Sequence, residues 1–505
     1  MARVSYDYDV VIVGGGSAGL TAAQTARGLG ARVALVDKER LGGECLWSGC
    51  VPSKSLIASA RAAHQTRRLE AFGLAGALDP VDLGAVMDRV RSVVDAVDAG
   101  ENAGVMRRLG IDVVFGHAAF TSPHILTVDG RPLRGRAFLI CTGSRAAVPP
   151  IDGLDRVDYL TNETLFGLRA LPRRLIVAGG GPNGVETAQA FRYLGSEVTV
   201  IAGEGGLLPR EDRAASAALT NAFARDGITV VRGRLVAVRP NGAGLCARYA
   251  RAAGTAGTAG TTGGAGPAGG AGGGDASGDR LFLALGRAPN VEGLNLARAG
   301  VVHDPIRGIP TDALLRTNVP HIFACGDVSG PYHYTHAAGF QASAAVRTAL
   351  LAPLTAKPRT EPMAWTTFTD PEIAHVGQTE EEARRARSSR GTLTLRASFA
   401  HDDRALADGT PEGFVKLVVT PWRGKILGGH IVGPRAGELI QEVTLAMSKG
   451  LDVTALAGTI HIYPTLGMAV QEAALSFYQE SPRYRLLRRP LRFLARHDIQ
   501  DLRGL

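Results

Sequence analysis

The apolar positions of this chain fall into short β-branched runs that alternate with stretches of helical period. Asp9 to Val13 (DVVIV) reads as a strand, a helix-period stretch follows to Leu29, and Arg32 to Val36 reads as a second strand. That order predicts a β-α-β unit. The same grammar returns at Arg174 to Ala178 (RLIVA), runs through a helical stretch to Leu194 and ends on a strand at Glu197 to Ile201 (EVTVI). From about Pro358 the texture changes to strand-rich segments with intervening helices. The pattern therefore predicts an α/β protein with two Rossmann-like dinucleotide-binding domains followed by an α+β domain.

One stretch breaks the pattern. Residues Ala252 to Gly278 hold twelve of the 65 glycines and no branched aliphatic or aromatic side chain. Such a segment cannot bury enough surface to order itself, so a flexible surface insertion is expected at 252–278. A linker between domains fits less well, because the strand-like LFLAL at Leu281 to Leu285 resumes the pattern directly afterwards.

Composition narrows the class. With 505 residues, 45% apolar, the chain is long enough for two or three domains with real cores. No run of 18 apolar residues occurs and the start lacks a basic region and cleavage site, so a cytoplasmic location is expected. Five cysteines are too few for a secreted disulfide scaffold. The net charge of +9 raises nucleic acid as a partner, but seven arginines crowd the stretch from Arg483 to Arg503. The excess belongs largely to a tail, and no nucleic-acid partner is expected. That tail, RYRLLRRPLRFLARH, reads first as a solvated or dimer-packed extension and second as a membrane-surface contact, with Pro490 expected to interrupt any long helix.

Glycines mark the candidate chemistry. Gly14, Gly16 and Gly19 follow the first strand in the spacing G-x-G-x-x-G, and Asp37, with Lys38 beside it, closes the next strand. Such glycines let a pyrophosphate approach a helix N-terminus, while the acid accepts from ribose hydroxyls; a tight turn without a ligand is the alternative. Gly179, Gly181 and Gly184 repeat the spacing, but Ala202 stands where an acid would grip an unphosphorylated ribose. Gly203 offers no arginine for a 2′-phosphate, so the choice between NADH and NADPH stays open.

The segment Gly42 to Lys54, GGECLWSGCVPSK, is the most informative. Cys45 and Cys50 on one ideal helix would lie ~7.5 Å apart along its axis and face different directions, so bridging them requires a distorted first turn. Gly43 and Gly49 permit that distortion. A helix start and the nearby Lys54 ammonium would both favour a thiolate. Two buried cysteines, or half of a metal site, are the alternatives. No other Cys or His pair has ligand spacing, so no metal is expected.

These residues together resemble the class I flavoprotein disulfide reductases, the family of glutathione reductase, dihydrolipoyl dehydrogenase and mercuric reductase. The resemblance rests on GGECLWSGCVPSK, both glycine fingerprints, Cys141-Thr142-Gly143, Val185-Glu186, Leu285 to Asn290 (LGRAPN), Phe323 to Asp327 (FACGD), and the run from Thr369 to Glu372 (TDPE) through Pro464-Thr465. It implies an FAD-binding domain at 1–155 and 288–357, an NAD(P)-binding domain at 156–287, a dimerisation domain at 358–480 and a basic tail at 481–505. It implies FAD and NADPH or NADH as cofactors, and a homodimer whose C-terminal domain completes the partner's active site. Cys45 would be the interchange thiol and Cys50 the thiol against the flavin, with Lys54 paired to Glu186. The FAD-contacting set would include Thr142, Gly143, Gly286, Arg287 and Gly326, with Asp327 on the ribityl chain. His336 would start a helix under the flavin's pyrimidine end; a capping or packing histidine is the alternative there.

The likeness has one departure. Where the lipoyl and glutathione branches carry a proton-relay histidine and a following glutamate, this chain has Tyr463 and Met468. Tyrosine, with an ordinary pKa near ~10, is a poor base at neutral pH. His461, two residues earlier, is a candidate replacement, although a structural role fits it better. Tyrosine at this place is similar to the mercuric-reductase-like branch, but the extra C-terminal cysteine pair of mercuric reductase has no counterpart, the last cysteine being Cys325. The expected activity is transfer of electrons from NAD(P)H through FAD and Cys45/Cys50 to a disulfide, metal-ion or quinone acceptor. The alternatives are a dihydrolipoyl dehydrogenase with a relocated acid/base group and a flavin-binding interaction protein with little turnover.

Overall fold

The computed structural model describes residues 5–251, 273–355, 357–358, 361–387 and 391–494. They group into two compact units, one drawn from 1–66, 77–204 and 231–360, the other from 67–76, 205–230 and 361–505.

The first unit contains both predicted nucleotide folds. In the first, strands Asp112–Phe115, Val33–Asp37, Tyr8–Val13 and Arg131–Ile140 lie side by side in parallel, and Ile322–Ala324 extends them. The central strands are apolar where both faces are covered, as in residues 10–13 and 138–140. Val10, Ile12 and Leu35 pack on one side with alanines of the helices Ser17–Gly28 and Thr335–Leu351, and Val11, Val13 and Phe138 pack on the other. In the second fold, Arg174–Ala178 is flanked in parallel by Glu197–Ile201 and Arg280–Leu283. The helix Pro182–Leu194 joins the first two of these strands. The predicted β-α-β units are thus both present.

Part of the expected insertion is ordered. Gly273–Gly278 forms a strand antiparallel to Gly244–Ala250, and residues 252–272 lie outside the described residues. Strand pairing satisfies the backbone without burying side chains, and Asp275 anchors the strand through Arg239 and Arg248.

The second unit has an antiparallel sheet in the order Ala364–Thr367, Glu372–Gly377, Ile426–Gly433, Phe414–Val419, Leu393–Ser398. Helices Ala436–Lys449 and Met468–Leu475 cover it over a core that includes Phe399, Leu417, Ile431 and Phe477. This is the expected α+β domain. Residues 205–230 group with this unit, where a buried Lys416 is bonded at 2.9 Å to both oxygens of Asp212. The tail also departs from expectation. Its helix runs Pro482–Leu494, through Pro490. Pro482 sits at the first turn, where proline favours helix. Residues 495–505 of the tail lie outside the described residues. Among the described residues no helix is long and apolar enough to cross a membrane.

Candidate active site

The dithiol segment lies directly against the first glycine turn. Gly43 is left-handed, with φ 57°, and a Cβ there would stand 2.6 Å from the Cα of Gly16. The short helix Gly43–Trp47 carries Cys45 and stops at Ser48, and after Gly49 a new helix begins with Cys50. The expected distortion is therefore a complete break. It removes the axial offset that one continuous helix would impose, and it brings both thiols to one hydroxyl. Thr335 Oγ1 donates to Cys45 Sγ at 3.2 Å and lies 3.5 Å from Cys50 Sγ.

The two sulfurs are electrically unequal. A hydrogen bond from the Cys45 thiol, then the Thr335 hydroxyl and the Lys54 ammonium, pull Cys50 down to about 6 against the opposing effect of burial. Cys45 is pushed upward by its bond to Cys50 and by burial. Cys50 is the thiolate of the pair. One turn along its helix, Lys54 Nζ lies 2.7 Å from Oε2 of the buried Glu186, which stands on the second nucleotide helix. Further down the same helices His64 stacks on Tyr193 at 3.9 Å. Cys45, Cys50, Lys54 and Glu186 thus come together as the sequence suggested.

A second cluster adjoins Cys45. Arg287 grips both carboxylate oxygens of Glu44 and reaches Asp327 Oδ2 at 3.2 Å and Ser144 Oγ at 2.7 Å. Thr142 and Asn290 exchange two hydrogen bonds, at 2.7 and 2.9 Å. Gly143, Gly286 and Gly326 are all left-handed turns in this region. His336 follows Thr335 in the first turn of the helix Thr335–Leu351 and stacks on Tyr334.

The donor set fits dinucleotides. The helices Ser17–Gly28, Pro182–Leu194 and Thr335–Leu351 begin without a side-chain cap, whereas Leu83–Glu101, Arg213–Arg225 and Glu380–Ala386 each have one. Uncapped first-turn N–H groups with the positive end of the helix dipole are what a pyrophosphate needs. A Cβ on Gly19 would fall 1.8 Å from the Gly14 carbonyl oxygen, and one on Gly184 would fall 2.0 Å from that of Gly179, so each helix can start close to its strand only with glycine. Gly16 and Gly181 are the N-cap residues of these two helices. Asp37 accepts from the Gly15 N–H at 2.7 Å and from two N–H groups of its own loop, while Lys38 is exposed beside it.

The C-terminal candidates are in the second unit. Tyr463 is exposed and its hydroxyl donates to Asp403 at 2.9 Å, which holds its pKa above the ordinary value. His461 Nε2 lies 3.0 and 3.2 Å from the carboxylate oxygens of Glu442, and its Nδ1 lies 3.0 Å from the Thr459 carbonyl. Sequence reasoning missed Thr335, Glu44, Ser144 and Glu442. Two left a signal: Glu44 lies within the cysteine motif, and Thr335 precedes His336.

Comparisons with known proteins agree with this geometry. Residues 8–346 match the model of pyridine nucleotide-disulphide oxidoreductases, and 363–474 match that family's dimerisation domain. A mercuric reductase of Streptomyces lividans is 35% identical over 94% of this chain and 98% of its own length. A dihydrolipoyl dehydrogenase of Thermus scotoductus is 33% identical over the same shares. Among solved structures, LpdA of Mycobacterium tuberculosis superposes with a TM-score of 0.81 at 29% identity, covering 92% of this chain and 98% of that one. The HOCl-induced flavoprotein disulfide reductase RclA of Escherichia coli superposes with a TM-score of 0.80 at 26% identity, covering 93% and 99%.

Proposed function

This chain belongs to the pyridine nucleotide-disulphide oxidoreductase family, enzymes that use FAD and NAD(P)H, and from that premise we propose that it reduces a soft metal ion, a quinone or a disulfide-like acceptor through Cys45 and Cys50. The observation that carries the reading is the pair of unequal thiols on Thr335, with the acidified Cys50 next to Lys54 and Glu186. Bound FAD would supply the redox chemistry, accepting hydride from NAD(P)H and providing the electron pair that opens a Cys45–Cys50 disulfide. Cys50 then rests as a thiolate held by Lys54 and by the Thr335 hydroxyl, whose single proton turns from Cys45 to the charged sulfur. Cys45 keeps its proton until an acceptor arrives, with the Cys50 thiolate beside it to take that proton. On a disulfide acceptor, the Cys45 sulfur forms a mixed disulfide and expels one thiolate, which takes the proton from Cys50; the Cys50 thiolate then attacks Cys45 and expels the second thiolate, which is protonated from water. Glu44, Arg287, Ser144 and Asp327 hold the neighbouring wall, and the N-terminus carrying His336 favours negative charge near it.

The second unit supports the choice of acceptor. A thiolate leaving group needs a proton, and the Tyr463 hydroxyl is engaged with Asp403 and made less acidic by it. A metal ion needs no such proton. In this reading the enzyme is a cytoplasmic homodimer, with the segment around Tyr463 completing the active site of the second copy. Ala202 at the second nucleotide turn leaves room for NADPH as well as NADH. One observation favours a dihydrolipoyl dehydrogenase as the second reading: His461 and Glu442 form the kind of histidine–carboxylate pair that a relocated proton relay requires.

An acceptor panel of mercuric ion, quinones, lipoamide and glutathione disulfide, each with NADH and NADPH, separates the readings. Metal ion or quinone should be turned over at least tenfold faster than lipoamide or glutathione disulfide. Dihydrolipoamide turnover of ~10 to 10³ per second, lost in His461→Asn, would establish the second reading instead. Anaerobic NAD(P)H titration should take up two reducing equivalents beyond the flavin, one NAD(P)H for the disulfide, and produce long-wavelength charge-transfer absorbance. An unchanged spectrum in Cys50→Ser would remove the dithiol role.

A further inference from the structure

The second unit buries three facing atoms that lack a hydrogen-bond partner among the described residues: Glu211 Oε2, His375 Nδ1 and His430 Nδ1. All three lie within 4.8 Å of one another. Their side chains are almost wholly inaccessible, Glu211 at 4%, His375 at 2% and His430 at 1%.

Sheet register brings the group together. Trp365, His375, His430 and Lys416 are successive cross-strand partners and form one ladder across four antiparallel strands. Glu211 reaches this ladder from the turn before the helix Arg213–Arg225. Trp365 holds it there, donating from Nε1 to Glu211 Oε1 at 2.5 Å while its ring stacks on His375 at 3.9 Å.

The outer nitrogens decide what the inner ones present. His375 Nε2 lies 2.8 Å from the Gly377 carbonyl, and His430 Nε2 lies 3.2 Å from that of Gln378. A carbonyl only accepts, so each Nε2 carries the hydrogen and each neutral ring turns the lone pair of Nδ1 inward. Metal-bound histidines are oriented by outer-nitrogen partners in the same way. Two lone pairs and a carboxylate oxygen then face one another where no donor answers them, an arrangement that is costly unless a cation lies between. A proton shared by His375 and Glu211 would still leave His430 Nδ1 bare.

Spacing and charge agree. His375 Nδ1 and Glu211 Oε2 are 3.2 Å apart. Ligands held at about 2.0–2.1 Å by a tetrahedral ion are about 3.3 Å from each other. Lys416 already faces two carboxylates, Asp212 and Glu380. Arg384 also pairs with Glu380, so Glu211 leaves a local surplus of one negative charge, which favours a cation between its carboxylate and the two imidazoles.

We infer that Glu211, His375 and His430 form a buried binding site for a divalent cation of the zinc class, pinning residues 205–230 to the C-terminal sheet. The site is separate from the dithiol and independent of the acceptor. Because it is closed to solvent, the ion enters as the chain folds and exchanges slowly afterwards.

The test uses the full-length flavoprotein in a Cys45→Ser/Cys50→Ser background, so that the dithiol contributes no metal. After growth with zinc and washing with EDTA, elemental mass spectrometry should find about one zinc per chain, and growth with cobalt should give the visible d–d bands of a tetrahedral N/O site. Glu211→Gln and His430→Gln should each lower the content at least tenfold while FAD remains bound. The parent protein decides the matter if a variant fails to fold. Folded, FAD-containing parent protein with less than a tenth of an equivalent of zinc or cobalt overturns the site, as does metal content unchanged in both folded variants.

Discussion

Thr335 offers the most direct test of how the dithiol is tuned. In the Cys45→Ser protein no disulfide forms, the introduced serine keeps a hydroxyl donor toward Cys50, and the Cys50 thiolate beside oxidised FAD reports its own ionisation by long-wavelength absorbance. Removing the Thr335 hydroxyl with Thr335→Val deletes a hydrogen bond to a charged group, worth about 1.5–3 kcal/mol when buried. Thr335 is exposed and its oxygen is 3.5 Å from Cys50 Sγ, so the lower end applies. At about 1.4 kcal/mol per unit, the midpoint should rise by about one unit from the value of about 6 set by Cys45, Thr335 and Lys54. The sign follows from which form is stabilised. Losing a donor to the thiolate raises the pKa, so absorbance that persists down to about pH 6 in the parent should fade nearer pH 7 in the variant. Thr335→Ser should restore the parent profile. The assay is a pH titration of the two purified holoproteins at fixed ionic strength. Coincident midpoints, within about 0.3 units, would mean that the hydroxyl does not stabilise the thiolate.

Further outcomes follow from the same geometry. Lys54→Met deprives Glu186 of the ammonium 2.7 Å away; because Lys54 is 35% exposed, the expected loss is about 1–2 kcal/mol in urea unfolding, together with slower reduction by NAD(P)H in stopped flow, and unchanged values for both would refute the pairing. Restoring the relay with Tyr463→His and Met468→Glu together should raise lipoamide-linked turnover about 10²-fold, with little gain from either change alone; equal rates in parent and double variant would place the limitation elsewhere. Gly19→Ala places a methyl 1.8 Å from the Gly14 carbonyl oxygen and should abolish FAD retention through gel filtration, whereas normal flavin content would exclude this turn as the pyrophosphate site.

The two nucleotide units and the cysteine pair were legible in the chain because each is a local device. Their glycines, strands and helices act on neighbours within about thirty residues, and the departure at Tyr463 and Met468 was equally plain. What pairs with what was not legible. Thr335 meets Cys45 and Cys50 only because the helix Thr335–Leu351 packs beside the first nucleotide helix, and Arg287 reaches Glu44 and Asp327 only across that assembled fold. Gly273–Gly278 is ordered by a strand it pairs with, although its own composition predicts no structure. Glu211, His375 and His430 have no spacing that a sequence scan detects, since antiparallel register sets two of them opposite each other and a distant turn supplies the third. Short-range patterns depend on backbone geometry within one segment, so the nucleotide turns and the cysteine pair could be read directly from the chain. The partners that tune those thiols, and the buried Glu211 cluster, arise from contacts between remote segments, which only the packed sheets and helices decided.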